Sequence, residues 1–203
     1  AEGPLWVFGI GFRPAGWSAL VGLDADQVAD RVVEARVLFG PLVNEALEAL
    51  REAPALEGMA AIANRLMRGL VDRARHAPIW FVTLADGWLA GAPSPDVDDL
   101  VQASGLSVRQ VERLTNRVYG ASPKLLARKY RALRAAVRLV EQPDDWQEAA
   151  GDAFYDQSHF IREFKRFTGL TPRRFGIDPS PVARLTLDRR KLIRDLPKLN
   201  LIS

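Results

Sequence analysis

Two sets of long polar side chains recur at helical spacing in this chain. Arg109, Glu112, Arg113 and Asn116 form the first, and Ser158, His159, Arg162 and Arg166 the second, with Lys165 at its margin. Spacing of three and four residues puts each set on one face of a helix. An arginine so presented can make two parallel hydrogen bonds to guanine O6 and N7 in the major groove. Ser, Thr and Lys near helix starts suit phosphate, helped by the helix dipole. The chemistry implied is recognition of duplex DNA.

The elements that position these residues are themselves repeated. The second set lies in Phe154-Tyr-Asp-Gln-Ser-His-Phe-Ile-Arg-Glu-Phe-Lys-Arg-Phe-Thr-Gly-Leu-Thr-Pro172. A looser copy, Gly105-Leu-Ser-Val-Arg-Gln-Val-Glu-Arg-Leu-Thr-Asn-Arg-Val-Tyr-Gly120 followed by Ser122-Pro123, lies 49 positions upstream. Gly120 corresponds to Gly169, Pro123 to Pro172 and Val111 to Phe160. Val108, Val111, Leu114 and Val118 are expected to face inward in the first copy, and Phe160, Phe164 and Phe167 in the second. Each unit reads as a short helix, a turn, a capped helix, a Gly stop and a Pro-started helix. The first comprises a helix over 97–104 ended by Gly105, then a Ser107/Gln110 capping box opening a helix to Tyr119. Ser122-Pro123 starts a long helix to about residue 141 that holds the readers apart. Asp144 and Gln147 cap a helix to about Ala153, the second reader spans about 157–168, and Thr171-Pro172 starts a last short helix.

Charge agrees with a polyanion partner. Residues 1–104 carry 8 Lys/Arg against 14 Asp/Glu, residues 105–175 carry 14 against 8, and residues 176–203 carry 6 against 3. The net +3 thus hides an acidic front and a basic back. With 48% hydrophobic and 26% charged residues the composition is that of an ordinary globular protein. The absence of cysteine excludes disulfides, thiolate metal sites and cysteine nucleophiles. No apolar run approaches the roughly 18 residues of a membrane span, and no signal-peptide pattern opens the chain.

Residues 5–12 alternate and are rich in β formers, so a strand and an Arg13-Pro-Ala-Gly16 turn are expected, with a second short strand around 17–21. Asp24 with Gln27 resembles a capping box for a helix to about Leu38. Pro41 opens a helix to about Glu52, and a third helix runs from about 56 to 75. Met59, Ile62, Ala63, Leu66, Met67 and Leu70 stripe that helix, as intrachain core or as a dimer seam within 41–75. His76-Ala-Pro78 marks a boundary before a helix over 79–89. The expected fold is therefore mainly α. Two helix-turn-helix units are joined by a long linker helix and preceded by a small α/β region with a short strand or hairpin and about three helices. The divisions are 1–76, 77–176 and a basic tail, 177–203, containing Asp188-Arg-Arg-Lys-Leu-Ile-Arg194.

The stretch from Asp156 to Gly169, then Thr171-Pro172, is very similar to the second-unit signature of the AraC/XylS family of transcription regulators. Leu106-Ser-Val-Arg-Gln-Val-Glu-Arg-Leu and Ser122-Pro123-Lys124 resemble the first unit. Ala153 replaces that family's usual turn Gly, Thr115 a core Phe and Val101 a small Ala. The resemblance implies an all-helical DNA-binding domain and a promoter-binding activator or repressor. Carried over by position, Arg109, Glu112 and Arg113 meet bases in the first unit, and Gln157, Ser158, His159 and Arg162 in the second. Ser107, Asn116, Lys124, Lys165, Arg166 and Arg173 are then the phosphate candidates. It also implies a sensing or dimerising domain ahead of the reader. Residues 1–76 read as the end of such a domain, too short for a whole barrel. Trp6, Phe8, Phe12 and Trp17 are core aromatics or the lining of an effector pocket. The implied partners are double-stranded DNA, with RNA polymerase, a second copy through 41–75 and a small-molecule effector as further candidates. No membrane and no cofactor are implied, and the expected location is the nucleoid in the cytoplasm.

An enzyme is not expected. His76 and His159 are the only histidines and share no metal-ligand spacing, so neither a catalytic nor a metal site is assigned. Asp144-Asp145 reads as a cap, and Gly9-Ile-Gly11 lacks the rest of a phosphate-binding loop. DNA alkyl-repair proteins with this helical fold use cysteine, which is absent. The alternative function is a protein-interaction module derived from such a regulator that no longer reads DNA. Ala153 and Thr115 motivate it.

Overall fold

The structure, a computed structural model, describes residues 9–53, 55–141, 151, 154 and 156–181. It is mainly helical, and its described residues contain no strand. Contacts divide the chain into two compact units, Ala1–Ile79 with Asn116–Gly120, and Trp80–Thr115 with Ala121–Ser203.

The first unit departs most from expectation. Residues 9–13 are irregular, and 17–21, expected as a strand, belong with helix α1 (Pro14–Leu20) and the residue that caps it. The reason is Pro14, which sits at the first helical position with φ already suited to a helix. The aromatic residues serve this helical arrangement instead. The Phe12 ring lies 5.6 Å from Phe39, and the Trp17 indole donates to the Leu23 carbonyl at 3.0 Å. Trp6 and Phe8 fall outside the described residues.

Asp24 does not cap a long helix. It makes no side-chain cap bond, and only one 3-10 turn, Ala25–Gln27, follows. Asp30 adopts φ +56°, a left-handed conformation that ends any right-handed helix there. Helix α2 is limited to Ala35–Phe39. Gly40, at φ +67°, then turns the chain into α3 (Pro41–Glu52), again with proline at the start. Helix α4 (Leu56–Val71) packs on α3, and a Cβ on Gly69 would meet Leu42 at 3.3 Å, so this crossing is close. Of the apolar stripe, Ala63 and Leu70 are buried within the chain, whereas Met59, Ile62, Leu66 and Met67 stay half-buried.

The second unit follows the expected order closely. Helix α5 (Ile79–Gly91) buries Phe81, Val82, Ala85 and Leu89. Asp96 caps α6 (Val97–Ser104) by accepting from the Asp98 amide at 3.0 Å, and Gly105 closes it at φ +67°. Helix α7 (Val108–Tyr119) follows, then the long α8 (Pro123–Glu141). The helix expected over about 144–153 lies, apart from Gly151, outside the described residues, as does the tail beyond 181. Helices α9 (Gln157–Thr168) and α10 (Pro172–Ile177) both pack on α8. The α8 face they meet includes the small residues Ala135 and Ala136 beside Leu139 and Val140. Phe160, Phe164 and Phe175 fill the space with Leu139.

Candidate nucleic-acid interface

Helices α7 and α9 are each held by a cap at the start, a left-handed glycine at the end and a buried proline beyond. Ser107 and Asp156, 49 residues apart, are the two N-caps. The Ser107 hydroxyl accepts from the Gln110 amide at 3.4 Å, and the Asp156 carboxylate accepts from the His159 amide at 2.7 Å. Gln110 completes the capping box, its Oε1 accepting from the Ser107 amide at 3.0 Å and hydroxyl at 2.8 Å. At the far ends Gly120 and Gly169 adopt φ +71° and +78°, where a side chain would be strained. Ser122 and Thr171 then cap the next helices, each accepting from the amide three residues on at 3.4 Å. Pro123 and Pro172 are both buried.

The inner faces are fixed by packing. Val111 and Phe160 are fully buried at equivalent positions, as are Thr115 and Phe164. Thr115 meets the cost of burying its hydroxyl by donating to the Val111 carbonyl at 2.7 Å. Val108 is the exception to the expected ridge, since it is 54% exposed. It is the first helical residue, so no preceding turn of its own helix covers it.

This leaves Arg109, Glu112 and Arg113 exposed on α7, with Asn116 half-buried. On α9, Gln157, Ser158 and Arg162 are exposed, as are Lys165 and Arg166. Lys124 and Arg173, at the starts of α8 and α10, are exposed too. Two candidates have other commitments. The Ser107 hydroxyl proton is already given to Gln110, so a contact to phosphate requires that bond to be exchanged. His159 is half-buried, its ring 5.9 Å from Phe154 and its Nδ1 buried without a hydrogen-bond partner among the described residues. Any hydrogen bond it offers outward must therefore use Nε2. The Arg166 guanidinium lies over the Phe167 ring at 5.8 Å, which orients it.

Several basic residues are turned to structural use, which sequence reasoning missed. Arg128 on α8 donates from Nε and Nη2 to the two oxygens of Glu163 on α9, at 2.7 and 2.6 Å. Glu163 is 6% exposed. The hydrogen bonds from Arg128 hold its carboxyl below the usual carboxylate range, against the opposing effect of burial. The available signal was a lone carboxylate placed between Phe160 and Phe164 on the apolar side of a basic helix. Arg134 donates to the carbonyls of Leu89 and Ala92, and Arg131 to the Ser94 hydroxyl at 3.3 Å. Arg131 also lies 5.5 Å from the centre of the Phe154 ring. These half-buried arginines clamp α8 to the loop after α5 and to the second unit's core. Burial lowers the pKa values of Arg131 and Arg134 and pushes the Tyr130 phenol up to about 12. Arg128, Arg131 and Arg134 are thus less available to an outside polyanion than the exposed arginines.

Residues 100–176 match the family model described as a helix-turn-helix domain. The match supports an AraC-like DNA-binding domain over this segment. It covers both α7 and α9, and its family is a DNA-binding one rather than an enzyme family. No curated protein matches the chain, and no solved structure does. No helix among the described residues is long and apolar enough to cross a membrane.

Proposed function

We propose that the chain is a sequence-specific transcription regulator that places α7 and α9 in adjacent major-groove segments of promoter DNA. The observation that carries this is the repeated frame. Cap, buried pair, left-handed glycine and buried proline recur 49 residues apart, and both outer faces carry exposed arginine. A solvated surface needs basic residues but not two helices framed alike. Dimeric helix-turn-helix proteins read half-sites about one turn of DNA apart, roughly 34 Å. Here one chain carries both readers.

In this reading Arg109, Glu112, Arg113, Gln157, Ser158, His159 and Arg162 face base edges. Lys124, Lys165, Arg166 and Arg173 bind phosphate, with Ser107 and Asn116 as lesser contacts. Phosphate contacts supply most of the affinity, and base edges supply the choice of sequence. Neutralising about six phosphates gives a slope of log K against log salt of about −5. A titration of duplex DNA at several salt concentrations tests this, and a slope near zero would sink the proposal in favour of the protein-interaction module. A dimer through residues 41–75 is a separate expectation, for which Ile62, Leu66 and Met67 on α4 remain half-buried. Sedimentation as a monomer at high concentration would remove it.

A further inference from the structure

An apolar group on the outer side of a reader helix has a specific counterpart in DNA. Val108 opens α7 and is 54% exposed, beside exposed Arg109 and one turn before exposed Glu112. The fold does not use its two methyl groups as it uses Val111 and Val118, which are 0% and 2% exposed. The backbone that carries Val108 is well fixed, because it follows Ser107 directly in the Ser107–Gln110 capping box. Valine is also stiff at χ1, so its methyl groups are presented with little rotamer freedom left to lose on binding.

The equivalent position on α9, 49 residues on, is Gln157, which is exposed and polar. The two helices therefore present different chemistry at the same point of the same frame. In the major groove an amide pairs with adenine N6 and N7, whereas the only apolar group a base offers there is the thymine C5 methyl. Recognition-helix N-terminal residues are those that reach base edges. We propose that Val108 reads a thymine methyl in the site of the first helix-turn-helix unit. The inference rests on the reading of α7 as a DNA reader. It adds an apolar determinant to a face otherwise built of charge and amide.

The test uses the full chain and a duplex enriched by it from a random library. Each thymidine of that duplex is replaced in turn by deoxyuridine, which deletes only the methyl group. One replacement should weaken binding by the native chain about fourfold, the value of one buried methyl-sized group. The same replacement should leave binding by Val108→Ser unchanged. Val108→Thr, which keeps one methyl, should fall between, and both variants should melt as the native chain does because position 108 is exposed. An enriched duplex whose deoxyuridine scan is flat overturns this inference but leaves the regulator reading standing. A methyl effect of equal size in Val108→Ser also overturns it. Failure to enrich any duplex overturns the inference and the regulator reading together.

Discussion

The frame around α7 buries valine at 111 and threonine at 115, while the frame around α9, in the same register, buries phenylalanine at both 160 and 164. The second unit continues outward from those rings. Phe154, Phe160, Phe164 and Phe175 form a run with centroid separations of 4.8, 5.5 and 5.4 Å. Edge-to-face aromatic pairs add about 0.5–1.5 kcal/mol each beyond the area they bury. The α9 frame also has Glu163 tied to Arg128, where the α7 frame has half-buried Leu114. Backbone punctuation is shared, but the filling is not. A helix-turn-helix frame is set by its caps and glycines, and quite different cores satisfy it.

The comparison is broken most severely at Phe164. Phe164→Ala should cost about 3–5 kcal/mol in urea unfolding, because the surrounding rings cannot close over the gap. Val111→Ala removes far less volume and should cost about 2 kcal/mol. Equal costs would mean that the aromatic core adds nothing to the second unit.

The ion pair gives the next largest effect and a signature in pH. Arg128 lowers the pKa of Glu163 in the folded state, so the stabilisation is fully present above the unfolded value of about 4.3. It is lost as pH falls through the lowered folded value. Glu163→Gln should therefore cost about 1.5–3 kcal/mol at neutral pH, the range for a hydrogen bond to a charged group. The difference from the native chain should shrink on acidification below about pH 4.3. A difference that does not change with pH would show that the carboxylate charge has no part in holding α9 to α8.

These two sites also mark where the sequence is informative. Ser107, Gly120, Ser122 and Pro123 act locally, on the chain within a few residues of themselves, and so do Asp156, Gly169, Thr171 and Pro172. Their types and spacing alone disclose the frame. The Arg128–Glu163 pair spans 35 residues, and only tertiary packing brings its members together. The same holds for Arg131 and Arg134, whose charge is indistinguishable in sequence from that of Arg162. At the front of the chain, local signals conflict. Aromatic residues around Trp17 favour a strand, but Pro14 sets a helix, and the cap offered by Asp24 is overridden at Asp30. Asp24 instead pairs with Arg117 at 3.3 Å within the first compact unit. Arg117 stands where α9 has Arg166, so the two equivalent arginines have different partners.

Arg113 and Arg162 are also equivalent, and both are exposed. This makes them the sharpest functional comparison. Each change to alanine should cost about 1–3 kcal/mol on the selected duplex, with much less loss on random DNA, if both arginines read bases. Lys165→Ala should weaken both duplexes alike. Equal losses on selected and random DNA would reassign the arginine concerned to phosphate. Loss of discrimination only for Arg162 would mean that α7 positions the chain and α9 chooses the sequence.

The smallest effect is expected at Thr115, where the units differ in chemistry as well as size. Its hydroxyl is fully buried, and the bond to the Val111 carbonyl offsets its desolvation. Valine has nearly the same shape and needs no partner. Thr115→Val forfeits the hydrogen bond and also removes the cost of burying a polar group, two terms of opposite sign and each about 1 kcal/mol. The unfolding free energy should thus change by less than about 1 kcal/mol, with the Val111 carbonyl still placed to accept within the helix. A loss of about 2 kcal/mol or more would show that the hydroxyl does more for α7 than offset its own burial. The threonine would then act on α7 through a directed bond within that helix, whereas the phenylalanine at 164 serves α9 by filling space.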